Sequence, residues 1–273
     1  MREGGFRHVR VNLQAFAHMD VQNKLDTKWL STLDKVMHEA SMAGLDAILD
    51  ERDYRPCGSD TDTCRTKIMA FWQQVAPRYK DAPAGVMFEI LNEPNRALDA
   101  TRWNALLAKA LGVIRSTNPA RIVIVGPANS SNLKSLAQLM LPDTDRNLLV
   151  TVHYYNPFPF TRQGATWTTP SREKLVGISW GSAANRAAIE TDFDNIATWA
   201  KDHHRPILIE EFGADDKAQM DMRAAWISAV AKAAERNGLA WTWWQFDSSF
   251  DLYDIKANQW VAPLKDALIS SGP

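Results

Sequence analysis

Short apolar runs alternate with longer amphipathic segments along the whole 273-residue chain. Most of the apolar runs are continuous, as in parallel strands that are covered on both faces. The segments between them end at helix-stop signals such as Gly44 and Gly238. This alternation predicts a parallel α/β sheet, either doubly wound or closed into a barrel. The predicted strands are 8–13, 45–51, 86–91, 121–125, 148–155, 206–211 and 239–246, and the predicted helices are 27–43, 65–79, 100–116, 189–201 and 220–237.

The strand count is one short of a complete eightfold barrel. Seven strands are visible, and Gly4-Gly5-Phe6 resembles the end of a helix that leads into a second strand. We predict a single catalytic domain of the (β/α)8 TIM-barrel type over residues 1–273, with the first β/α unit missing upstream of Met1. The gap would be covered by the C-terminal segment or by a partner chain, unless the count is off by one. Because an uncovered parallel edge favours association, a homo-oligomer is expected.

The composition excludes several classes of protein. The net charge is −1 and no Lys/Arg cluster is present, which argues against a nucleic-acid or membrane partner. The G-x-G-x-x-G, G-x-x-x-x-G-K-[ST], H-E-x-x-H and G-x-S-x-G motifs are all absent. We therefore predict neither a metal nor an organic cofactor. Eleven tryptophans are many for this length, and sugar-binding clefts also use exposed aromatic faces.

Cys57 and Cys64 are the only two cysteines. The residues between them form turns readily, so a small closed loop with a disulfide is feasible. Free thiols in a flexible loop are the alternative. A disulfide would favour an oxidising compartment, and we expect a secreted or periplasmic protein. Residues 1–6 lack the apolar core of a secretory signal.

Two apolar runs end in a carboxylate that Pro or Gly follows closely. One is Ile90-Leu91-Asn92-Glu93-Pro94, and the other is Ile207-Leu208-Ile209-Glu210-Glu211-Phe212-Gly213. Strand interiors disfavour Glu, so an acid at the end of such a run requires a reason. Two carboxylates that face one cavity are the minimum needed to cleave a glycosidic bond.

Further polar and aromatic residues lie at predicted strand ends, where barrel enzymes keep their catalytic groups. Arg10 is near the end of the first visible strand, and Trp241, Trp243 and Trp244 are in the last one. His153 and Tyr155 share one strand face by the twofold alternation of side chains. In this order, with Asn92-Glu93-Pro94 and Glu211-Phe212-Gly213, these residues make the chain resemble glycoside hydrolase family 5 of clan A, and within it the bacterial endoglucanases (cellulases).

The resemblance implies a retaining β-glycanase. Glu93 would be the general acid/base and Glu211 the nucleophile. Arg10 would hold Glu211 ionised, and His153 and Tyr155 would orient it through hydrogen bonds. Asn92 would contact the sugar 2-hydroxyl, and Trp244 would stack on the sugar, with Trp243 and Trp241 as alternatives.

Several residues keep an alternative interpretation. Strand alternation places Glu210 on the face opposite Glu211, where it would pair with a cation of a helix, and Glu89 could be a buried ion-pair member. Trp167 and Trp180 could contact the glycan or only pack in a loop.

Arg52 is a departure from the pattern of the resembled family, which has a histidine here. A permanent cation at this position would lower the pKa of the catalytic acid and move the pH optimum down.

We therefore expect a retaining endo-β-1,4-glucanase that acts on cellulose-like or mixed-linkage β-glucan. A β-mannanase or another clan A β-glycanase is the alternative within the same class. A catalytically weak or inactive glycan-binding barrel is the alternative of another class, although binding alone does not need both acids.

Overall fold

The computed structural model describes residues 1–168 and 170–269. The chain divides into two compact units, Met1–Thr151 and a second one that starts at Val152. The strands are β1 (His8–Leu13), β2 (Asp46–Glu51), β3 (Val86–Glu89), β4 (Val123–Val125), β5 (Leu148–Tyr154), β6 (Ile207–Phe212), β7 (Ala240–Trp241), β8 (Tyr253–Asp254) and β9 (Gln259–Trp260). The α-helices are α1 (Thr27–Met42), α2 (Tyr54–Ser59), α3 (Thr61–Arg78), α4 (Ala100–Thr117), α5 (Ala128–Ser131), α6 (Phe158–Thr161), α7 (Ala183–Asp202), α8 (Met220–Arg236) and α9 (Ala262–Leu268).

Strands β1 to β7 are hydrogen-bonded neighbours in the order in which they occur along the chain. The pairings are parallel, for example Arg10 opposite Ile48 in β1 and β2. A doubly wound sheet reverses its strand order at a switch point, whereas a barrel-type sheet adds each strand next to the previous one. The predicted α/β class with seven parallel strands in sequential order is therefore confirmed for the described residues.

Side-chain caps set the helix starts of the first unit. The Asp26 carboxylate accepts a hydrogen bond from the Trp29 amide at the start of α1, and Asp99 accepts one from the Arg102 amide at the start of α4. Helix α1 ends just before Gly44, whose φ of 69° is a left-handed conformation that favours glycine.

The core of the first unit is rich in aromatic residues, and its buried indole N–H groups donate to backbone carbonyls. Trp72 is fully buried against Phe71 and Phe88, and its Nε1 donates to the Ile90 carbonyl at 3.1 Å. Trp103 is likewise buried and donates to the Gly126 carbonyl at 2.8 Å. These bonds anchor the loops that follow β3 and β4, because a buried indole N–H needs an acceptor.

The predicted Cys57–Cys64 loop is helical. Cys57 lies in α2 and Cys64 in α3, and the two are joined by a disulfide with their Cα atoms 4.6 Å apart. Helix α3 starts earlier than predicted, because the Asp60 side chain accepts hydrogen bonds from the amides of Asp62 and Thr63.

The second unit packs β6 against aromatic side chains. Phe212 is buried and contacts Trp226 of α8 at a ring-centroid distance of 6.3 Å, and Trp226 donates to the Asn156 carbonyl at 3.0 Å. The last predicted strand is much shorter than expected, since β7 ends at Trp241. Trp243 and Trp244 therefore lie in the segment after the strand.

Among the described residues, none of the helices combines the length and the apolar character that crossing a bilayer requires.

Candidate active site

In the first unit, a charge network lies near the carboxyl ends of β1 to β3. Arg10 donates from Nε and Nη2 to the two carboxylate oxygens of Glu89, both at 2.7 Å. The same Nη2 lies 3.1 Å from Asp50 Oδ2 and donates to Asn92 Oδ1 at 2.7 Å. The side chains of Arg10, Asp50 and Glu89 are at most 4% exposed. The interpretation of Glu89 as a buried ion-pair member is confirmed.

Asn92 is fully buried, and both its backbone and its side chain fix its position. Its amide donates to the Glu51 carbonyl at 2.8 Å, and its Oδ1 accepts from Arg10. Among the described residues, Nδ2 of Asn92 has no hydrogen-bond partner. Burying an N–H donor without an acceptor is unfavourable, so this atom is suited to a ligand oxygen.

Glu93 is partly exposed and has a strained backbone. Its φ is 48°, in the left-handed region that non-glycine residues rarely adopt. The Asn95 side chain donates to the Glu93 carbonyl at 2.8 Å and stabilises this turn. Strain of this kind costs about 1–3 kcal/mol and is found most often at functional sites. It turns the chain sharply after β3, directly at the predicted catalytic acid.

Arg52 is not a solvent-directed side chain. Its Nη1 lies 3.1 Å from Asp50 Oδ2 and 3.5 Å from Asn12 Oδ1, and its side chain is 11% exposed. One buried carboxylate, that of Asp50, thus faces two guanidinium groups, Arg10 and Arg52. No sequence pattern indicated this role for Asp50.

Glu51 is a buried acid next to this network. Burial is the main cause that raises the pKa of Glu51 well above its ordinary value, and the nearby Asp53 carboxylate raises it further. The Asp53 amide donates to Glu51 Oε2 at 3.0 Å, and Asp53 Oδ2 accepts from the Phe16 amide at 2.8 Å. The two acids therefore tie the turn around Arg52 to the segment after β1.

In the second unit, three predicted residues come together. Tyr155 donates its phenolic O–H to Glu211 Oε2 at 2.9 Å, and His153 Nδ1 lies 3.6 Å from the same oxygen. All three side chains are buried, Glu211 to 2% exposure. A hydrogen bond from a neutral phenol favours the ionised form of a carboxylate, which is the form that a nucleophile needs.

Glu210 lies near the same histidine as Glu211. Its Oε2 lies 4.0 Å from His153 Nε2, so one imidazole approaches both glutamates. The prediction paired Glu210 with a cation of a helix on the opposite strand face, and the structure adds His153 of β5 to its surroundings. Both glutamates are buried and lie in the last three positions of β6.

The segment after Glu211 is packed tightly against the predicted sugar platform. A Cβ added to Gly213 would lie 2.3 Å from the Trp244 carbonyl oxygen and 2.7 Å from the Phe250 ring. Trp244 is partly exposed, whereas Trp243 is 8% exposed and packs edge-on against Phe212. Trp241 also packs against Phe212. Exposure therefore favours Trp244 over Trp243 for contact with a sugar, whereas Trp241 is also partly exposed and donates its Nε1 to Glu235 at 3.1 Å.

Trp167 and Trp180, which the sequence left equivalent, differ in exposure. Trp167 is 48% exposed and packs on Phe250 with ring centroids 6.1 Å apart. Trp180 is 6% exposed and packs near Phe160, so it is mainly a packing residue. Sequence reasoning missed Arg162, whose guanidinium lies over the rings of Tyr155, Phe158 and Trp167. Its only signal was its position in an aromatic segment.

A family model described as cellulase, glycosyl hydrolase family 5, matches residues 1–249. This chain belongs to glycosyl hydrolase family 5. The predicted family is thereby confirmed, and the (β/α)8-type fold with it, because solved family 5 endoglucanase structures are similar over nearly the whole chain.

Two solved structures and one curated relative illustrate this membership. The structure of Thermotoga maritima Cel5A in complex with cellobiose has a TM-score of 0.95 and 37% identity, and covers 98% of this chain and 87% of its own. The structure of Cel5A with mannotriose has the same TM-score and coverages at 36% identity. Endoglucanase H of Acetivibrio thermocellus is 24% identical over 99% of this chain. The family 5 chain spans only 30% of that protein, and between 30% and 64% of four such relatives.

Proposed function

We propose that this family 5 chain is a retaining endo-β-1,4-glucanase that hydrolyses cellulose-like or mixed-linkage β-glucan by double displacement. The family match over residues 1–249 supports the class of enzyme. The hydrogen bond from Tyr155 to Glu211 is the observation that carries the mechanism, because it holds a buried carboxylate ready to act as a nucleophile.

In the first half-reaction, Glu211 attacks the anomeric carbon and the C–O bond to the leaving sugar breaks. Glu93 gives its proton to the leaving oxygen, so that a glycosyl-enzyme ester and a free sugar end are formed. In the second, Glu93 takes a proton from water, and the water oxygen displaces Glu211 from the anomeric carbon. This chemistry requires carboxyl groups about 5–5.5 Å apart and gives overall retention of configuration.

The other predicted residues serve these two acids. The unpartnered Nδ2 of Asn92 is suited to the sugar 2-hydroxyl, a contact that strengthens in the transition state. His153 and Tyr155 would keep the nucleophile ionised and oriented, and Arg10 would hold Asn92 in place. Trp244 and the more exposed Trp167 present aromatic faces to sugars. We assign Trp180 and Arg52 supporting roles at the edge of the substrate site.

Release of reducing ends from soluble carboxymethyl cellulose tests this proposal. Glu93→Gln and Glu211→Gln should each lose more than about 1,000-fold of the activity, since both carboxylates act in the transition state. The matched control is Glu190→Gln, an exposed glutamate that pairs with Arg236 in the second unit. NMR of the first product should show the retained anomer. Binding without release by the parent chain would support the inactive glycan-binding alternative, and an inverted product would exclude the double displacement.

β-Mannan is the second candidate substrate, because the mannotriose complex of Cel5A is 36% identical to this chain. Comparing kcat/KM on glucomannan, pure mannan and barley β-glucan separates the two. A preference for pure mannan would overturn the glucanase assignment and keep the mechanism.

We also propose that the protein acts in an oxidising, extracytoplasmic compartment as a homo-oligomer. The Cys57–Cys64 disulfide supports the compartment, and the position of β1 at the edge of the sheet supports association. Fractionation of the source cells and light scattering of the purified chain test the two points. A cytosolic location or a monomer at all concentrations would contradict them.

A further inference from the structure

The chain folds back on itself between Tyr155 and Arg162. The Thr161 hydroxyl donates to the Tyr155 carbonyl at 2.5 Å, and the Arg162 amide donates to the Phe158 carbonyl at 3.0 Å. This short turn, which contains α6, returns Arg162 to the ring of Tyr155. The local backbone conformation therefore brings the Arg162 side chain close to the Tyr155 ring.

The Arg162 guanidinium is surrounded by aromatic faces. Its Cζ lies 4.3 Å from the ring centroid of Phe158, 5.0 Å from that of Tyr155 and 5.5 Å from that of Trp167. All three distances are within the range of cation–π attraction, which desolvation strengthens. Within residues 1–168 and 170–269, the Nε of Arg162 is buried and has no hydrogen-bond partner.

Two buried arginine side chains of the site regions are held differently from Arg162, which is itself partly exposed. Arg10 pairs with Glu89 and Asp50, and Arg223 pairs with Asp251 at 3.3 Å. Burying a charge normally requires such a partner. At Arg162 the π-electrons of three rings take the place of the carboxylate. One of those rings belongs to the phenol that donates to Glu211.

We propose that Arg162 is a positioning residue for the nucleophile, which acts through the ring of Tyr155; this rests on the proposed function in that Glu211 is the nucleophile. A cation over the face of a phenol draws electron density from the ring and makes its O–H a stronger donor. The strengthened hydrogen bond favours the ionised form of Glu211. Arg162 need not touch the substrate to have this effect.

Packing on the other edge of Tyr155 supports the same conclusion. Phe250 contacts Tyr155 edge-on with centroids 6.1 Å apart, and it also contacts Trp167. Phe250 is 2% exposed and lies against Gly213, two residues after Glu211. The phenol is thus confined between a cation and a rigid ring, so its O–H keeps one direction.

The decisive experiment is a double-mutant cycle on residues 155 and 162, read by the pKa of Glu211. Glutamate labelled at the side-chain carboxyl carbon is followed by NMR titration, and the Glu211 signal is identified by its loss in Glu211→Gln. Arg162→Met keeps the length and apolar volume but removes the charge, and should raise the pKa of Glu211 by about half a unit. Arg162→Lys should return it most of the way to the parent value. Lys265→Met, which removes a cation 5.8 Å from the Trp260 ring in the same unit, is the matched control and should leave it unchanged.

Repeating Arg162→Met in the Tyr155→Phe background shows whether Arg162 acts on Glu211 through the phenol. If Arg162 acts through the phenol, Arg162→Met causes no further rise in that background, because the O–H is already absent. An equal rise in both backgrounds would overturn the proposal, since the cation would then act on Glu211 directly through space. No rise in the parent background, or no recovery with Lys, would reduce Arg162 to a packing residue.

The titration needs no turnover, so it separates this proposal from the proposed function. If the chain cleaves no glycan but shows the expected pKa changes in the double-mutant cycle, the proposed function is wrong and the coupling of Arg162 to Glu211 stands. In an active chain, the acidic limb of the kcat/KM profile should move to higher pH in Arg162→Met by the same amount, with KM nearly unchanged.

Discussion

The two units hold their buried glutamates by different means. Glu89 of the first unit accepts two charged hydrogen bonds from Arg10, in a network that also contains Asp50 and Arg52. Glu211 of the second unit accepts a bond from the neutral phenol of Tyr155 and lies beside an imidazole. In the first unit, cationic guanidinium groups balance the charge of the carboxylates. In the second unit, the carboxylate is surrounded by a phenol and an imidazole.

The difference in partners suits Glu89 to a structural role and Glu211 to a reactive one. A carboxylate in a bidentate pair with a guanidinium is fixed in place, and while it is ionised its charge is neutralised by the permanent cation. A nucleophile must keep its charge available, so weaker donors suit it better. Glu89 therefore serves to hold Arg10 and Asn92 in place. Glu211 is the residue whose surroundings leave it able to react.

Loss of the guanidinium from the charge network should have the largest effect on stability. Arg10→Met leaves Glu89 and Asp50 buried without their main counter-charge, so the free energy of unfolding should fall by about 3–5 kcal/mol. Urea unfolding followed by tryptophan fluorescence measures it. Arg236→Met, which breaks an exposed pair with Glu190, is the control and should cost at most about 1 kcal/mol. Equal losses in both variants would remove the distinction between the two regions.

The aromatic region should be sensitive to volume instead of charge. Gly213→Ala introduces a methyl group at 2.3 Å from the Trp244 carbonyl oxygen, and should destabilise the chain by about 1–3 kcal/mol while displacing Trp244. The matched control is Gly112→Ala in α4, where no atom lies within 4 Å, and it should stabilise by about 0.5–1 kcal/mol. The same urea titration reads both. A neutral Gly213→Ala would show that the segment after Glu211 adapts easily.

The buried acid next to the charge network should make stability depend on pH. Because the folded-state pKa of Glu51 is raised, the folded chain binds a proton that the unfolded chain releases near its ordinary value of 4.5. Stability should therefore be highest below that pH and decline above it, by up to about 1.4 kcal/mol per pH unit, until the folded-state pKa is reached. Glu51→Gln should flatten this slope. Melting temperatures between pH 4 and pH 8 measure it, with Glu3→Gln at an exposed site as the control. A slope that persists in Glu51→Gln would assign it to other groups.

The smallest effect is expected at Arg52. Its charge favours the ionised form of nearby acids, so Arg52→His should move the basic limb of the pH–rate profile to higher pH. The pairing of Arg52 with Asp50 at 3.1 Å offsets much of that charge, so we expect a shift of only a few tenths of a pH unit. Arg55→His, an exposed arginine near the same Tyr54 ring, is the control. Identical limbs in parent and variant would refute the coupling.

Local patterns in the sequence were enough for the fold class and the acids. Continuous apolar runs separated by helices indicate a parallel sheet, because the helices of such a fold cover both faces of each strand. Glu93 and Glu211 were recognisable because a charged residue at the end of an apolar run is unfavourable unless it has a function. The ordered set of strand-end residues then identified the family, which the match over residues 1–249 confirmed.

Only the tertiary structure decided which partner each polar side chain takes. Glu89 and Glu211 look alike in sequence, yet one is neutralised by Arg10 and the other is held by Tyr155. The approach of Glu210 to His153 was not foreseen because it joins two strands that are distant in sequence. Arg162 was missed because a folded-back turn brings it onto rings that lie near it in sequence, and the sequence does not show this turn. Side-chain partners depend on angles and distances of a few ångströms between elements, and no periodicity along the chain encodes them.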